Sequence, residues 1–151
     1  MTPGDDVRAV AAGLLRRVGA DPGRAARAVA VGWATVELER AAAAFAAAIP
    51  GGVPFEATAD EPLLGARCRV AAVTGPAIAL LEPSTEARLA AFLARHGEGP
   101  AAVWLAADDG MPTPAGTRIA EGPFGPELLE LGGPDGPYVL VLVGRASTIR
   151  A

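Results

Sequence analysis

Apolar positions recur along this chain at two periods, and the switches between them mark its elements. Val7, Val10, Ala11, Leu14 and Val18 fall at three- and four-residue steps, with Arg8, Arg16 and Arg17 mostly off that stripe, which predicts a helix over residues 5–18. Asp21-Pro22-Gly23 breaks the pattern. The Val-rich segment 28–36, interrupted only by Gly32, reads as a strand. Residues 37–49 read as a helix from their alanine content, with Glu37 and Glu39 in the first turn, where the helix dipole favours acids. Pro50-Gly51-Gly52 stops it. Segments 53–59 and 66–73 are strand-like, and Thr74-Gly75-Pro76 turns the second into 77–81 as a hairpin. Ser84 is a suitable N-cap for a helix over 85–96 that buries Leu89, Phe92 and Leu93, and Gly97 and Gly99 close it. Short strands are predicted at 101–107, 117–120, 127–131 and 138–143. Between the first two of these, Pro112 and Pro114 argue against a helix. The second set of strands thus repeats the first, with its helix replaced by a turn-rich connection.

Composition narrows the class. A chain of 151 residues, 51% hydrophobic and 20% charged, buries a core without disulfides and is expected to form a globular domain. Net charge −4 argues against a nucleic-acid partner or an acidic membrane surface. All 13 basic residues are arginine, and Lys, Asn and Gln are absent, a GC-rich bacterial coding bias that removes Schiff-base lysines and side-chain amide donors. The lone Cys68 allows no intrachain disulfide. Asp5 and Asp6 make the start unlike a signal peptide, and the longest apolar run, residues 41–49, is half of the ~18 needed to span a bilayer. A cytoplasmic, membrane-free protein is expected.

One stretch is specific enough to place. Leu80-Leu81-Glu82-Pro83, then Arg88-Leu89-Ala90-Ala91-Phe92-Leu93-Ala94-Arg95, then His96-Gly97-Glu98-Gly99 resembles the middle of methylmalonyl-CoA epimerases of the vicinal oxygen chelate superfamily, which also holds glyoxalase I, extradiol dioxygenases and bleomycin-resistance proteins. Val31-Gly32-Trp33-Ala34 with Glu37-Leu38-Glu39-Arg40-Ala41 is similar to the first strand and helix of such a module. The resemblance spans roughly residues 29–144. It implies an α+β fold of two βαβββ modules, at 29–84 and 100–144, joined by the linking helix 85–96 and curved around a cavity. Residues 1–28 become an N-terminal helical extension to a domain over 29–151, with the second module's helix truncated. The resemblance also implies a homodimer.

The metal ligands that the resemblance implies fall on Ala30, Ala79, Ala102 and, near the end, Val141. These carry only methyl and isopropyl groups, whereas a catalytic divalent metal takes about three protein donors. The only histidine, His96, matches a motif position that is not a ligand, and its place at a helix end suits interaction with free carbonyls. An all-carboxylate set from Asp108, Asp109, Glu127 and Glu130 is the remaining option, on turns and short strands. No metal and no cofactor are therefore expected.

Strand alternation assigns the cavity face. If Ala102 faces inward, so does Trp104; if Ala79 does, so does Leu81, with Val70 and Cys68 across the hairpin. On the last strand Val139 and Val143 would join Val141. Ala30, Cys68, Ala79, Leu81, Ala102, Trp104 and Val141 then outline a small-residue apolar pocket capped by one indole, suited to an aromatic or otherwise apolar ligand. Trp33 is expected on the opposite face, Cys68 as an inert buried thiol, Arg67 and Arg69 on a solvated face pairing with Glu82, and Tyr138 at the pocket mouth. Three functions follow: metal-independent binding of a small apolar molecule, metal-free isomerase, epimerase or cyclase chemistry, or a non-catalytic assembly role for the N-terminal helix.

Overall fold

The computed structural model describes residues 3–19, 22–49, 53–71, 76–106, 118–131 and 137–143. Its elements are α1 (Pro3–Arg17), α2 (Pro22–Arg27), β1 (Ala28–Ala34), α3 (Leu38–Ala48), β2 (Glu56–Ala57), β3 (Ala66–Ala71), β4 (Ala77–Pro83), α4 (Arg88–His96), β5 (Gly99–Ala106), β6 (Ala120–Gly122), β7 (Gly125–Leu131) and β8 (Tyr138–Leu142). The eight strands form one mixed sheet in the order β2-β3-β4-β1-β5-β8-β7-β6. Each half runs hairpin, hairpin, then a parallel pairing: β4 with β1 in the first half, β8 with β5 in the second. The halves meet where β1 and β5 pair antiparallel. This is the two-module architecture expected, closed into a half-barrel.

The curl follows from side-chain size. Ala30, Ala34, Ala77, Ala79 and Ala102 share one face with Leu81, Cys68, Val70 and Trp104, and α4 adds Leu89 and Phe92 to it. The sheet closes toward these small residues, which makes this the inner face. The bulkier Val31, Ile78, Leu80, Val103 and Leu105 alternate onto the outer face, under α1 and α3. Trp33 packs with that outer cluster as expected, its ring edge-on to Phe45 at 5.3 Å and under the Arg17 guanidinium at 5.5 Å.

Several boundaries move. The break at Asp21-Pro22-Gly23 contains the start of α2, because a proline is well tolerated in a first helical turn. Of the strand expected over 53–59, only Glu56–Ala57 pairs, and Val53 and Phe55 instead bury into the outer cluster. Ala87, not Ser84, caps α4, with no side-chain bond. Residues 107–117, where the second module's helix is missing from the sequence pattern, lie outside the described residues. Over β1, β4 and β5 the outer face is covered by α1, through Val7, Ala11, Leu14 and Leu15.

The glutamates of both motifs tie the β1–α3 junction. Leu38 N–H donates to Glu82 Oε1 at 2.8 Å, satisfying a first-turn donor of α3 that Glu37 leaves uncapped. Glu98 Oε2 accepts from Val36 N–H at 2.9 Å, Thr35 Oγ1 at 2.9 Å and Arg40 at 2.8 Å. These bonds, the Val36 N–H first, hold the Glu98 carboxyl below its usual range. Arg67 pairs with Glu82 and Arg69 with Glu39, so both lie on the outward, charged side of β3.

Candidate active site

Register brings two acids to the inner face from opposite ends of the sheet. Glu61 makes an isolated bridge with Ala66, an inner-face residue at the start of β3. Glu127 on β7 stands opposite Leu142 of β8, which packs on the same face. Both are fully buried, and Trp104 joins them. Its indole N–H donates to Glu127 Oε1 at 3.1 Å and to Glu61 Oε1 at 3.4 Å.

The two carboxyls have unlike surroundings. Glu61 Oε2 accepts the backbone N–H of Leu63 at 2.8 Å and of Leu64 at 3.3 Å, so the residue sits as an acceptor in its own turn. Glu127 Oε2 is buried and receives no donor. Burial foremost, then the hydrogen-bonded Glu61 carboxyl and its charge, push Glu127 up to about 10, while the Trp104 N–H pulls the other way. At neutral pH Glu127 is thus a carboxylic acid.

Small residues make the room. A Cβ at Gly32 would lie 2.9 Å from Trp104 Cζ3, 2.9 Å from Leu81 Cδ1 and 3.1 Å from Ala102 Cβ, so β1 must have glycine there for the indole to lie across it. At Gly122 a Cβ would strike the Glu127 carboxylate. Phe124, on the β6–β7 turn, meets Trp104 edge-on at 5.1 Å and is only half-buried, so the site comes nearest the surface there.

The residues singled out in sequence fall as follows. Ala30, Cys68, Ala79, Leu81, Ala102 and Trp104 do come together in the inner cluster, all of them buried. The last strand is the exception. Val139 packs with the outer cluster while Tyr138 and Leu140 face inward, so alternation sends Val141 outward as well. The expected parity was one residue out, because no motif anchors the chain that late. Tyr138 is buried, not at a pocket mouth, and its hydroxyl donates to the Arg88 carbonyl at 2.8 Å. Cys68 is buried, and desolvation, with Glu61, Glu127 and Asp60 adding to it, pushes its thiol up to about 12. That is an inert thiol. His96 ends α4 with its ring 4.8 Å from that of Phe92. Glu130 is exposed, and Asp108 and Asp109 lie outside the described residues.

Glu61 carried no signal in the sequence reading. The usable trace was an acid inside Pro62-Leu63-Leu64-Gly65, a short apolar loop that has to bury. Glu127 was visible only as part of a carboxylate metal set. The metal positions that the resemblance implies hold Ala30, Ala79, Ala102 and Val141, and among the described residues no group of three or more His, Cys, Asp and Glu converges. The chemistry on offer is that of two carboxyls and an indole.

A separate surface cleft of about 300 Å³ is lined by Arg17, Phe92, His96, Glu98 and Pro100, among others, near the start of β5. Its charged groups are already engaged, Arg17 over Trp33 and Glu98 at the α3 junction.

The fold is that of the vicinal oxygen chelate proteins. Among solved structures, a variant of Streptomyces coelicolor methylmalonyl-CoA epimerase, in complex with 2-nitronate-propionyl-CoA, is similar with a TM-score of 0.59 and 18% identity, covering 78% of this chain and 97% of that one. Methylmalonyl-CoA epimerase from Mycobacterium tuberculosis is similar with a TM-score of 0.60 and 17% identity, covering 83% of this chain and 93% of that one. A hypothetical protein from Bacillus halodurans reaches a TM-score of 0.51 at 15% identity, covering 76% of this chain and 91% of that one. No protein-family model and no curated protein matches the sequence. No helix among the described residues is long and apolar enough to cross a membrane.

Proposed function

We propose that the inner face binds a small, largely apolar molecule and that Glu61 and Glu127 move a proton on it without a metal, an isomerase-type activity. The observation that carries this is Glu127 Oε2, an oxygen buried without a donor beside a second buried carboxyl. A buried carboxylic acid beside a second buried carboxyl that its own turn holds as an acceptor forms an acid–base pair. Such a pair abstracts a proton α to a carbonyl. Glu61 takes the C–H proton, the C–H pair forms a carbon–carbon double bond, and the carbonyl π pair moves onto oxygen. That oxygen accepts a hydrogen bond from the Glu127 O–H, and return of the proton to carbon completes the step. Trp104 is a positioning residue, its N–H holding both carboxyls in register. The similarity in fold to methylmalonyl-CoA epimerases supports the same class of reaction.

Binding without turnover is the second reading, favoured by the apolar lining around Trp104. The probe 5-nitrobenzisoxazole separates the two, since base removal of its ring C–H releases a coloured phenolate. The pair is expected to turn it over faster than free carboxylate at the same pH, and Glu61→Gln to lower that rate by about tenfold or more. An unchanged rate in both Glu61→Gln and Glu127→Gln contradicts the proton-transfer reading.

A further inference from the structure

We infer, resting on the acid–base reading above, that this site selects an uncharged carbonyl compound and excludes anionic acyl substrates. Among the described residues the buried charged side chains are Glu61 and Glu127, and no arginine is buried with them. The ionisable side chains buried on this face are Glu61 and Glu127 with the inert Cys68 thiol and Tyr138, and the acids Asp60 and Glu121 add to the negative field. The arginines around it are turned elsewhere. Arg67 and Arg69 alternate to the outer side of β3, paired with Glu82 and Glu39, and Arg88 donates to the Leu63 carbonyl at 3.3 Å.

A carboxylate or phosphate brought here loses its water, meets like charge and finds no buried cation among the described residues, three costs with one sign. An uncharged ester or ketone avoids all three and uses the one donor the pair presents, the Glu127 O–H. Its apolar remainder lies against Trp104 and Phe124, whose rings already meet edge-on. The acyl-CoA compound bound in the similar Streptomyces coelicolor epimerase structure carries phosphates, so the chemistry of this inner face argues for a different ligand.

The test compares diethyl methylmalonate with its monoethyl half-ester, which differ by one negative charge near the reacting C–H. Loss of the C2 proton in D₂O is followed by NMR, and binding by Trp104 fluorescence in a Trp33→Phe background. Enzyme-dependent exchange of the diester is expected to exceed that of the half-ester by about tenfold or more. Exchange of the half-ester as fast as the diester overturns the charge selection while leaving the acid–base pair standing. Binding of the diester alone, with no exchange of either, supports the selection and removes the proton transfer. Failure of both compounds to bind overturns both.

Discussion

At the scale of single residues, the balance at Glu127 is between burial and company. Desolvation and the neighbouring acid favour the neutral form, and one indole N–H is too little to reverse them. The sign of the linkage follows. A folded value of about 10 against the ordinary 4.5 means that the native state holds a proton the unfolded chain has lost. That contribution is complete below pH 4.5 and is lost as pH rises toward about 10. Wild-type protein should therefore lose stability against Glu127→Gln between pH 5 and pH 9, by up to ~1.4 kcal/mol per pH unit. Parallel denaturant midpoints for the two proteins across that range contradict the assignment. Little of this was legible beforehand. The sequence marks Trp104 as an inward indole, but only the Glu61–Ala66 bridge and the β7–β8 register bring the two acids to it.

Elements explain the motifs. Glu82 and Glu98 stand in the most recognisable stretch of the chain, and both are used at the start of α3, far from the inner face. What the sequence offers as a family signature is here a junction between the β1–α3 turn, the end of β4 and the start of β5. Glu82→Ala frees the Leu38 N–H and also breaks the pair with Arg67, so a loss of ~1 kcal/mol is expected by denaturant titration. Glu98→Ala, which drops three bonds to the β1–α3 turn and α3, should cost at least as much. Neither change should alter proton transfer at Glu61, and a loss of activity without a loss of stability would place these acids in the site. Helices and inner strands were legible because three- and two-residue periods dominate them. The parity of β8 was not, since Tyr138-Val139-Leu140-Val141-Leu142 is apolar on both faces and alternation alone cannot choose.

Seen whole, the molecule is two similar half-sheets with unequal covering. α3 roofs the first half, while α1 lies over the seam between the halves at β1, β4 and β5. The N-terminal segment reads in sequence as an extension, but its Val7, Ala11, Leu14 and Leu15 are part of the outer core. Leu14→Ala should therefore cost ~2–4 kcal/mol, measured by chemical denaturation. A change within a few tenths would show α1 to be dispensable to the core. The inner face owes its character to the same economy of size, with alanine at three of the four positions where the resemblance implies metal donors, and with the indole and two acids meeting over Gly32 and Gly122. That Glu127 keeps its proton at neutral pH is the central claim. Carbon-13 NMR of protein labelled at the glutamate carboxyl reads it directly. One carboxyl should be protonated at pH 7, titrate near pH 10 and vanish in Glu127→Gln. Finding every glutamate carboxyl ionised at pH 7 would contradict it.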